Sequence, residues 1–464
     1  MLAGWRGKIG RRLPEPLVRR MLEATLKIPS GDTTQTVTQL REEAERASTR
    51  IAAGLGIAYD RVGPGLPFTI QAATWERLRD ALQSAGLRVQ RLHEAHSNAA
   101  AMAWSVSSET TSSAGIADLR GCGAIWQLFP GSLEALVDAQ DFDETVDAVY
   151  TWVDANDPAW YSSYQQQLRA AGRPAGDSAV NLARFASRDE LRYSLRSLEM
   201  NLPWINRIYL VTAGQRPAWL AEENPRLTVV DHREIFGDPV QCLPTFNSHA
   251  IEAQLANIPG LSEHFLYVND DVFFGRYLHP NIFFGPAGQA KYCLTKGHFA
   301  QAEDSGLPIN QAAANNREVI LERFGRTTSR KFQHVAHPQR LAVHRRIHED
   351  LGPRVAEIAM HRFRSDTDLS IPSSLAHQYA ARLGLGYPTS VKYQYVDLGA
   401  DTFHLDMVRL ARNSGLDMFC INEVLSTEDE AQRSSSVTRF LEARFPVPSA
   451  FEKPRMAGSG DLRG

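Results

Sequence analysis

Residues 264–275 read HFLYVNDDVFFG, in which the apolar run FLYV is followed at once by Asn269, Asp270 and Asp271. Such a run predicts a buried β-strand, and the two carboxylates emerge where the strand gives way to loop. Three upstream segments have the same form, with β-rich residues first and polar residues last: VDAVYTWVD (146–154), RIYLVTAG (207–214) and RLTVVDHREIF (226–236).

Amphipathic helical patterns separate these predicted strands. In residues 187–205, Leu191, Leu195 and Leu198 recur at helical spacing, and Ser187 fits an N-cap. Strands that alternate with helices predict an α/β fold, with a mostly parallel sheet flanked by helices. Because ligands bind beyond the carboxyl ends of such strands, the polar strand ends indicate one common site.

The texture of the sequence divides the chain into three parts. Residues 1–140 include the Ser/Thr-rich stretch SVSSETTSSAG (105–115), and we interpret them as a small N-terminal α/β accessory domain with a linker. Residues 141–452 hold the predicted strands and, after Phe284, a helical C-terminal section rich in His and Arg. Residues 453–464 are typical of a disordered tail.

The composition argues against several classes of protein. The chain has 464 residues and a formal net charge of -3, so it lacks the basic excess of a nucleic-acid-binding protein. Its four cysteines form no CxxC pair, which favours a reducing compartment and gives no zinc motif. Because no stretch approaches the roughly 20 apolar residues that span a bilayer, and no secretory signal is evident, we expect a soluble, cytoplasmic protein.

A basic N-terminus leaves two readings of its first helical pattern. Residues 17–28, LVRRMLEATLKI, place Val18, Met21, Leu22 and Leu26 at helical spacing. Such a helix would make a peripheral contact with the anionic inner face of a membrane. Alternatively, it packs its apolar face on its own domain, which is the more common outcome.

Two acidic segments are candidates for metal and nucleotide binding. Asp270 and Asp271 offer the hard oxygen ligands that suit Mg²⁺ or Mn²⁺ bridging to phosphate, although a surface turn explains such a pair too. At the end of the first predicted strand, Trp152 and Asp154 would hold a nucleotide base. An Asx-type turn that caps the next helix explains these residues equally well.

Two further segments offer groups for anion binding and proton transfer. Asn247 stands just before a predicted helix whose free N–H groups would bind an anion, unless Asn247 is simply the N-cap. Glu252, one turn into that helix, would serve as a base or metal ligand. Arg364, in HRFRSDTDLS (361–370), would grip phosphate in a bidentate fork or form a surface ion pair.

The segment KFQHVAHPQRLAVHRRIHED contains four histidines: His334, His337, His344 and His348. A zinc site is disfavoured, because Pro338 interrupts a shared helix face and Arg345 and Arg346 would oppose a cation. A histidine is better suited here to accept the proton of a hydroxyl nucleophile. At least two of the four are expected to be structural.

Taken in order, these segments resemble the four conserved regions of the Stealth family, which includes bacterial exopolysaccharide phosphotransferases. Residues 146–160 resemble the first region, and residues 184–276 carry the second, which is the most specific. Residues 334–370 resemble the third region, and residues 419–452 the fourth. The resemblance implies a nucleotide-sugar-binding sheet and leaves the N-terminal 140 residues uncovered.

The resemblance also implies which side chains act. The essential ones would be Glu252, Asp271, His334 and Arg364. Asn422 would lie near the phosphate or metal, although Glu423 follows it where the family usually has aspartate. Of His334 and His337, we expect His334 in the catalytic position. Three residues of the second region would touch donor or acceptor: Arg188, Asp189 and Arg192.

The implied reaction moves a sugar-1-phosphate from a nucleotide sugar, with a UDP-sugar as the expected donor, to a hydroxyl of a glycan acceptor. Asp271, with Asp270, would hold Mg²⁺ or Mn²⁺ on the diphosphate, and Arg364 would share its charge. His334 or Glu252 would accept the hydroxyl proton. Two other functions fit the residues: a metal-dependent glycosyltransferase that releases the nucleoside diphosphate, and a non-catalytic regulator that binds nucleotide sugars.

Overall fold

The computed structural model describes residues 14–26, 34–61, 63–92, 103–108, 115–129, 141–172, 188–298, 308–422 and 430–454. Its helices are α1 (Glu15–Thr25), α2 (Val37–Gly54), α3 (Ala72–Ser84), α4 (Pro158–Ala170), α5 (Glu190–Asn201), α6 (His232–Ile235), α7 (Pro239–Cys242), α8 (Ser248–Glu252), α9 (Pro308–Phe324), α10 (Leu341–Ala359), α11 (Ala376–Leu383), α12 (Phe403–Arg412) and α13 (Glu430–Arg444). Its strands are β1 (Tyr59–Asp60), β2 (Phe68–Gln71), β3 (Leu87–Arg91), β4 (Ala103–Ser108), β5 (Ala124–Phe129), β6 (Val146–Thr151), β7 (Ile208–Thr212), β8 (Leu227–Asp231), β9 (His264–Asn269), β10 (Val272–Phe274), β11 (Ala290–His298), β12 (Arg330–Phe332), β13 (His337–Arg340), β14 (Gly386–Thr389), β15 (Tyr393–Asp397) and β16 (Met418–Asn422).

A five-stranded sheet in the order β13-β9-β6-β7-β8 carries the predicted strands. β9, β6, β7 and β8 run parallel, and β13 closes one edge antiparallel to β9. Thr151 pairs with both Val211 and Asn269, so these strands end at the same edge. The predicted α/β class with a mostly parallel sheet is confirmed.

Both faces of this sheet are covered, because its strands are apolar on both sides. In β9, Leu266 and Val268 join the core that contains Leu195 of α5. Phe265, the neighbouring residue, points to the opposite face and joins the core that contains Ile347 of α10. Alternation along the strand therefore places helices on either side of the sheet.

The segment 264–275 forms two strands instead of one. After β9 ends at Asn269, the chain turns through Asp270 and Asp271 and enters β10. β10 leaves the parallel sheet and pairs antiparallel with β16 in a sheet of order β10-β16-β15. The two carboxylates therefore occupy the junction between two sheets. The apolar residues on either side of them do not indicate that the second strand belongs to a different sheet.

Two other predicted boundaries are wrong. Residues 226–236 do not form one strand, because the Asp231 side chain ends β8 with a capping box that starts α6. The section after Phe284 is not wholly helical, since it contains β11, β12 and β13. β13 has the sequence His-Pro-Gln-Arg, and its polar side chains are hydrogen-bonded inside the protein. Hydropathy therefore does not indicate a strand here.

The N-terminal region holds a second five-stranded sheet, in the order β1-β2-β5-β4-β3, with its own apolar core. Residues 105–108, predicted as loop, belong to β4, where Ser105 and Ser107 are buried. Their pairing with β3 and β5 outweighs the serine-rich composition. Three predictions fall wholly or mostly outside the described ranges: the rest of the serine-rich loop (109–114), the N-cap at Ser187 and most of the tail (455–464).

The first described helix, α1, packs on the rest of the chain. Val18 and Leu22 are buried in a core that they share with Phe403 and Met407 of α12. Packing within the chain thus occupies the apolar face that would otherwise meet a membrane. Every helix in the described ranges is too short or too polar to cross a bilayer.

The carboxylate of Glu452 ties the C-terminal segment to α5. Nε and Nη2 of Arg196 each lie 2.6 Å from its oxygens, and Nε of Arg192 donates at the same distance. Burial alone would raise the pKa of Glu452, but these two arginines hold it at about 2. That stabilisation is therefore complete above the usual glutamate pKa of about 4.3 and is lost as the pH falls towards 2.

Replacing Glu452 tests this ion-pair cluster. Glu452→Ala leaves the Arg196 guanidinium buried without its carboxylate, which typically costs about 3–5 kcal/mol. We expect the free energy of unfolding in urea to fall by that amount. Glu23→Ala, which removes an exposed pair with Arg19, is the matched control and should cost less than about 0.5 kcal/mol. Equal stability of the two variants would contradict the assignment.

Candidate active site

A cavity of about 410 Å³ opens at the carboxyl edge of the parallel sheet. Four side chains from distant parts of the sequence line it: Glu252, Asp271, His334 and Arg364. Trp152, Arg188 and Asn422, also predicted as binding residues, line the same cavity. The strand ends of β6, β7 and β9 form its floor, as expected for ligand sites of open α/β sheets.

Three carboxylates gather where β9 turns into β10. Burial raises the pKa of Asp270 well above its usual value, and repulsion from Asp271 and Glu190 raises it further. Glu190 is itself buried at the first turn of α5, and its pKa is raised as well. Sequence reasoning missed Glu190, because an acidic residue in a first helical turn is ordinarily explained by the helix dipole.

His334 contacts Asp271 directly. Its Nε2 lies 3.1 and 3.2 Å from the two carboxylate oxygens. Burial opposes the imidazolium, but the Asp271 carboxylate outweighs it and raises the pKa of His334. Cys420 stands on the other side, with its Sγ 3.4 Å from Oδ2 of Asp271. No sequence signal marked Cys420, since a single cysteine in an apolar strand is usually core.

The other three histidines have partners of their own. Nδ1 of His337 lies 3.0 Å from Nε2 of His377, and burial holds the pKa of His337 well below its usual value. His344 bonds to Gln339, and His348 to the carbonyl of Ala253. His337 does line the cavity, but the histidine that meets Asp271 is His334.

Glu252 is buried at the cavity wall. The hydroxyl of Tyr267 donates to its Oε1 at 3.1 Å and also bonds to Thr151. Its Oε2 is buried with no hydrogen bond to any described residue. Burial raises the pKa of Glu252, against the opposing charges of His249, Arg364 and His334. Tyr267 was not predicted as a site residue, because a tyrosine inside a buried strand is read as core.

Asp368 holds the segment that carries Arg364 against the start of α8. Its carboxylate has no exposed surface and accepts hydrogen bonds from four groups: Nδ2 of Asn247, Nδ1 of His249, Nδ1 of His361 and the backbone N–H of Ser365. Burial alone would raise its pKa, but these donors, led by His249 and His361, hold it well below the usual range. Arg364 then donates to Oγ of Ser248 at 3.1 Å.

Four predicted binding residues do not line the cavity. Asp154 accepts from the N–H of Asn156 in an Asx turn, whereas the helix that follows is capped by Asp157. Asp189 accepts from Nε1 of Trp219, in a left-handed backbone conformation that precedes α5. The remaining two are Arg192, which bonds to Glu452, and Asn247, which caps α8. Each of these side chains is thus engaged within the protein.

The chain belongs to the Stealth protein family. Models of its conserved regions 1, 2, 3 and 4 match residues 144–167, 184–292, 333–381 and 408–457, respectively. Each of the four regions contributes residues to the cavity lining, so the family's conserved segments meet at this site. Glu423 lies outside the described residues.

Two curated relatives carry the name exopolysaccharide phosphotransferase. One, from Streptomyces coelicolor, is 46% identical over 313 residues, which cover 66% of this chain and 51% of that protein. The other, CpsY of Mycobacterium tuberculosis, is 39% identical over 319 residues, covering 68% of this chain and 59% of that protein. The chain thus spans little more than half the length of these relatives.

Solved structures resemble the chain only weakly. A crystal structure of galactosyltransferase LgtC with donor and acceptor sugar analogues aligns at 12% identity with a TM-score of 0.32. The alignment covers 65% of this chain and 97% of that one. A score this low carries no conclusion about fold or function.

Removing the charge of Asp368 should weaken the contact between the Arg364 segment and the start of α8. In Asp368→Asn, one acceptor oxygen becomes an amide N–H₂ group, which faces groups that are themselves donors. Each buried donor left unsatisfied in this way costs about 1–3 kcal/mol. We expect the free energy of unfolding to fall by at least about 2 kcal/mol. Asp366→Asn, an exposed carboxylate two residues away, is the control and should be nearly neutral. If the two variants unfold alike, Asp368 does not organise this segment.

Proposed function

We propose that the chain transfers a sugar-1-phosphate group from a nucleotide sugar, in the first instance a UDP-sugar, to a hydroxyl of a glycan acceptor. The observation that carries this proposal is the convergence of Glu252, Asp271, His334 and Arg364 on one cavity. Membership of the Stealth family and the names of the two curated relatives support it.

In this reaction, the acceptor oxygen forms a bond to the phosphorus that carries the sugar. The bond from that phosphorus to the bridging oxygen of the diphosphate breaks, and the nucleoside monophosphate leaves with that oxygen. The hydroxyl proton passes to a base of the protein. Such transfers depend on positioned positive charge at the diphosphate and on a base at the nucleophile.

We further propose that Asp270 and Asp271 hold Mg²⁺ or Mn²⁺. Their oxygens are the hard ligands these ions prefer, and the amide oxygen of Asn422 is a further oxygen on the same cavity wall. The raised pKa of Asp270, caused by burial and by two neighbouring carboxylates, marks an excess of negative charge that a cation would relieve. When bound, the ion would offset charge on the diphosphate.

Arg364 supplies a permanent positive charge at the cavity. Its hydrogen bond to Ser248 and the Asp368 cluster behind it keep the guanidinium at the cavity. A positioned guanidinium can share charge that develops on phosphate oxygens in the transition state. Trp152, at the end of β6, offers an aromatic face for the nucleotide base.

We assign the proton acceptor to Glu252. Its Oε2 is buried and makes no hydrogen bond to a described residue, whereas Oε1 is held by Tyr267. Because burial raises the pKa of Glu252, this carboxylate binds a proton more readily than an ordinary glutamate. Nε2 of His334 is already engaged by Asp271, which suits a role in positioning that carboxylate.

Product analysis tests the proposed reaction. The full chain is incubated with Mg²⁺ or Mn²⁺, glycan acceptors and a panel of UDP-sugars, and nucleotides are separated by chromatography. We expect UMP to accumulate with a phosphodiester signal in the phosphorus NMR spectrum of the product. Release of UDP would instead identify a glycosyltransferase, and unchanged donor would favour a binding protein without turnover.

Matched variants assign the roles within this assay. Glu252→Gln should lower kcat by about a hundredfold to ten-thousandfold, the usual contribution of a general base. Arg364→Ala should lower kcat by about a hundredfold or more, as expected for loss of a group that stabilises developing charge. Glu322→Gln, an exposed carboxylate on α9, is the control and should leave kcat unchanged. Full activity of Glu252→Gln would move the base to another residue.

A further inference from the structure

Three donor atoms of different elements meet beside the cavity. They are a carboxylate oxygen of Asp271, a ring nitrogen of His334 and Sγ of Cys420, and all lie within 4.8 Å of one another. The His334–Asp271 distance is 3.1 Å, and the Cys420–Asp271 distance is 3.4 Å. His334 and Cys420 are 63 and 149 positions from Asp271 along the chain, so no sequence motif indicates this group.

Two of the three ligand separations are close to those of a tetrahedral metal centre. A zinc ion binds sulfur at about 2.3 Å and nitrogen or oxygen at about 2.0–2.2 Å, which separates neighbouring ligand atoms by about 3.3–3.6 Å. The two distances above fall within a few tenths of an ångström of that range. The third separation, between His334 and Cys420, is at most 4.8 Å, so it must shorten by up to about 1.2 Å for both side chains to bind one ion.

The chemistry of these donors differs from that of the carboxylate cluster. Imidazole and thiolate favour borderline-soft ions such as Zn²⁺ and Co²⁺, whereas Mg²⁺ prefers oxygen. Asp271 belongs to both sets, since it also adjoins Asp270 at the turn. Two dications that share this carboxylate would lie close together and repel each other, so binding at one set weakens binding at the other.

The backbone fixes these ligands before any ion binds. Val272 pairs with Cys420 in the β10–β16 ladder, and the N–H of Ile421 donates to the carbonyl of Asp271 at 3.1 Å. Cys420 has no exposed surface, and the N–H of Gln333, next to His334, donates to the carbonyl of Cys293. Such preorganisation lowers the conformational cost of binding an ion.

We propose that Asp271, His334 and Cys420 form a three-ligand site for a thiophilic divalent ion of the Zn²⁺ class, with the fourth position open to the cavity. Coordination replaces the S–H bond of Cys420 by a metal–sulfur bond, and the N–H bond at Nε2 of His334 by a metal–nitrogen bond. Both protons pass to solvent. The ion displaces Mg²⁺ or Mn²⁺ from Asp271 and occupies His334. Under the function proposed above, the same ion inhibits transfer.

Cobalt titration of the metal-free full chain tests the site without any substrate. Co²⁺ bound to thiolate gives a ligand-to-metal charge-transfer absorption, which carboxylate and imidazole ligands lack. We expect one equivalent of Co²⁺ to produce this band and one equivalent of Zn²⁺ to abolish it. Cys420→Ser should remove the band, whereas Cys242→Ser, which changes another buried free cysteine, should keep it.

A second variant tests the site even if Cys420→Ser does not fold. The His334 side chain is 30% exposed, so His334→Gln should fold normally and yet weaken Co²⁺ binding by at least about tenfold. No charge-transfer band in the wild-type chain, or a band that persists in Cys420→Ser, overturns the proposal. Because the band needs no turnover, this result is independent of whether the chain releases UMP.

Discussion

The site depends on one constraint: the chain must leave the parallel sheet immediately after Asn269 and enter a different sheet at Val272. β9 is fixed by its parallel neighbour β6, and β10 by its antiparallel partner β16. Asp270 and Asp271 fill the turn between these two pairings. They are therefore held at the cavity by backbone hydrogen bonds on both sides, which loop residues alone would not provide.

The remaining groups are brought to that turn by buried polar contacts. Tyr267, in the strand that precedes the turn, holds Glu252 from the sheet side. Asp368 joins the segment of Arg364 to the start of α8, so the Glu252 carboxylate and the Arg364 guanidinium are positioned by the same short helix. Since a buried carboxylate is costly unless its oxygens are satisfied, the four donors fix the position of Asp368, while Tyr267 holds Oε1 of Glu252.

Much of this fold could be predicted from sequence, because apolar strands that end in polar residues report both strand position and direction. The turn at Asp270 and the helix with Leu195 follow from such patterns. β13 could not be found in this way, since His337 and Gln339 are polar and are buried only because other side chains satisfy them. Its pairing with β9 is a long-range effect that local hydropathy does not contain.

The candidate site divides along the same line. Glu252, Asp271, His334 and Arg364 were expected through the family resemblance, and the described cavity brings them together. Glu190, Asp368 and Cys420 are connected to the site through residues far away in the sequence, so their local patterns look ordinary. Arg192 is the opposite case. It was expected to contact donor or acceptor, but its guanidinium bonds to the carboxylate of Glu452 instead.

A crystal structure of the full chain with an intact nucleotide sugar and Mg²⁺ tests the central claim most directly. The account predicts a diphosphate between Asp271 and the Arg364 guanidinium, with the phosphorus that carries the sugar facing Glu252. A diphosphate bound elsewhere, or bound in this cavity without contact to Arg364 and Asp271, would contradict it.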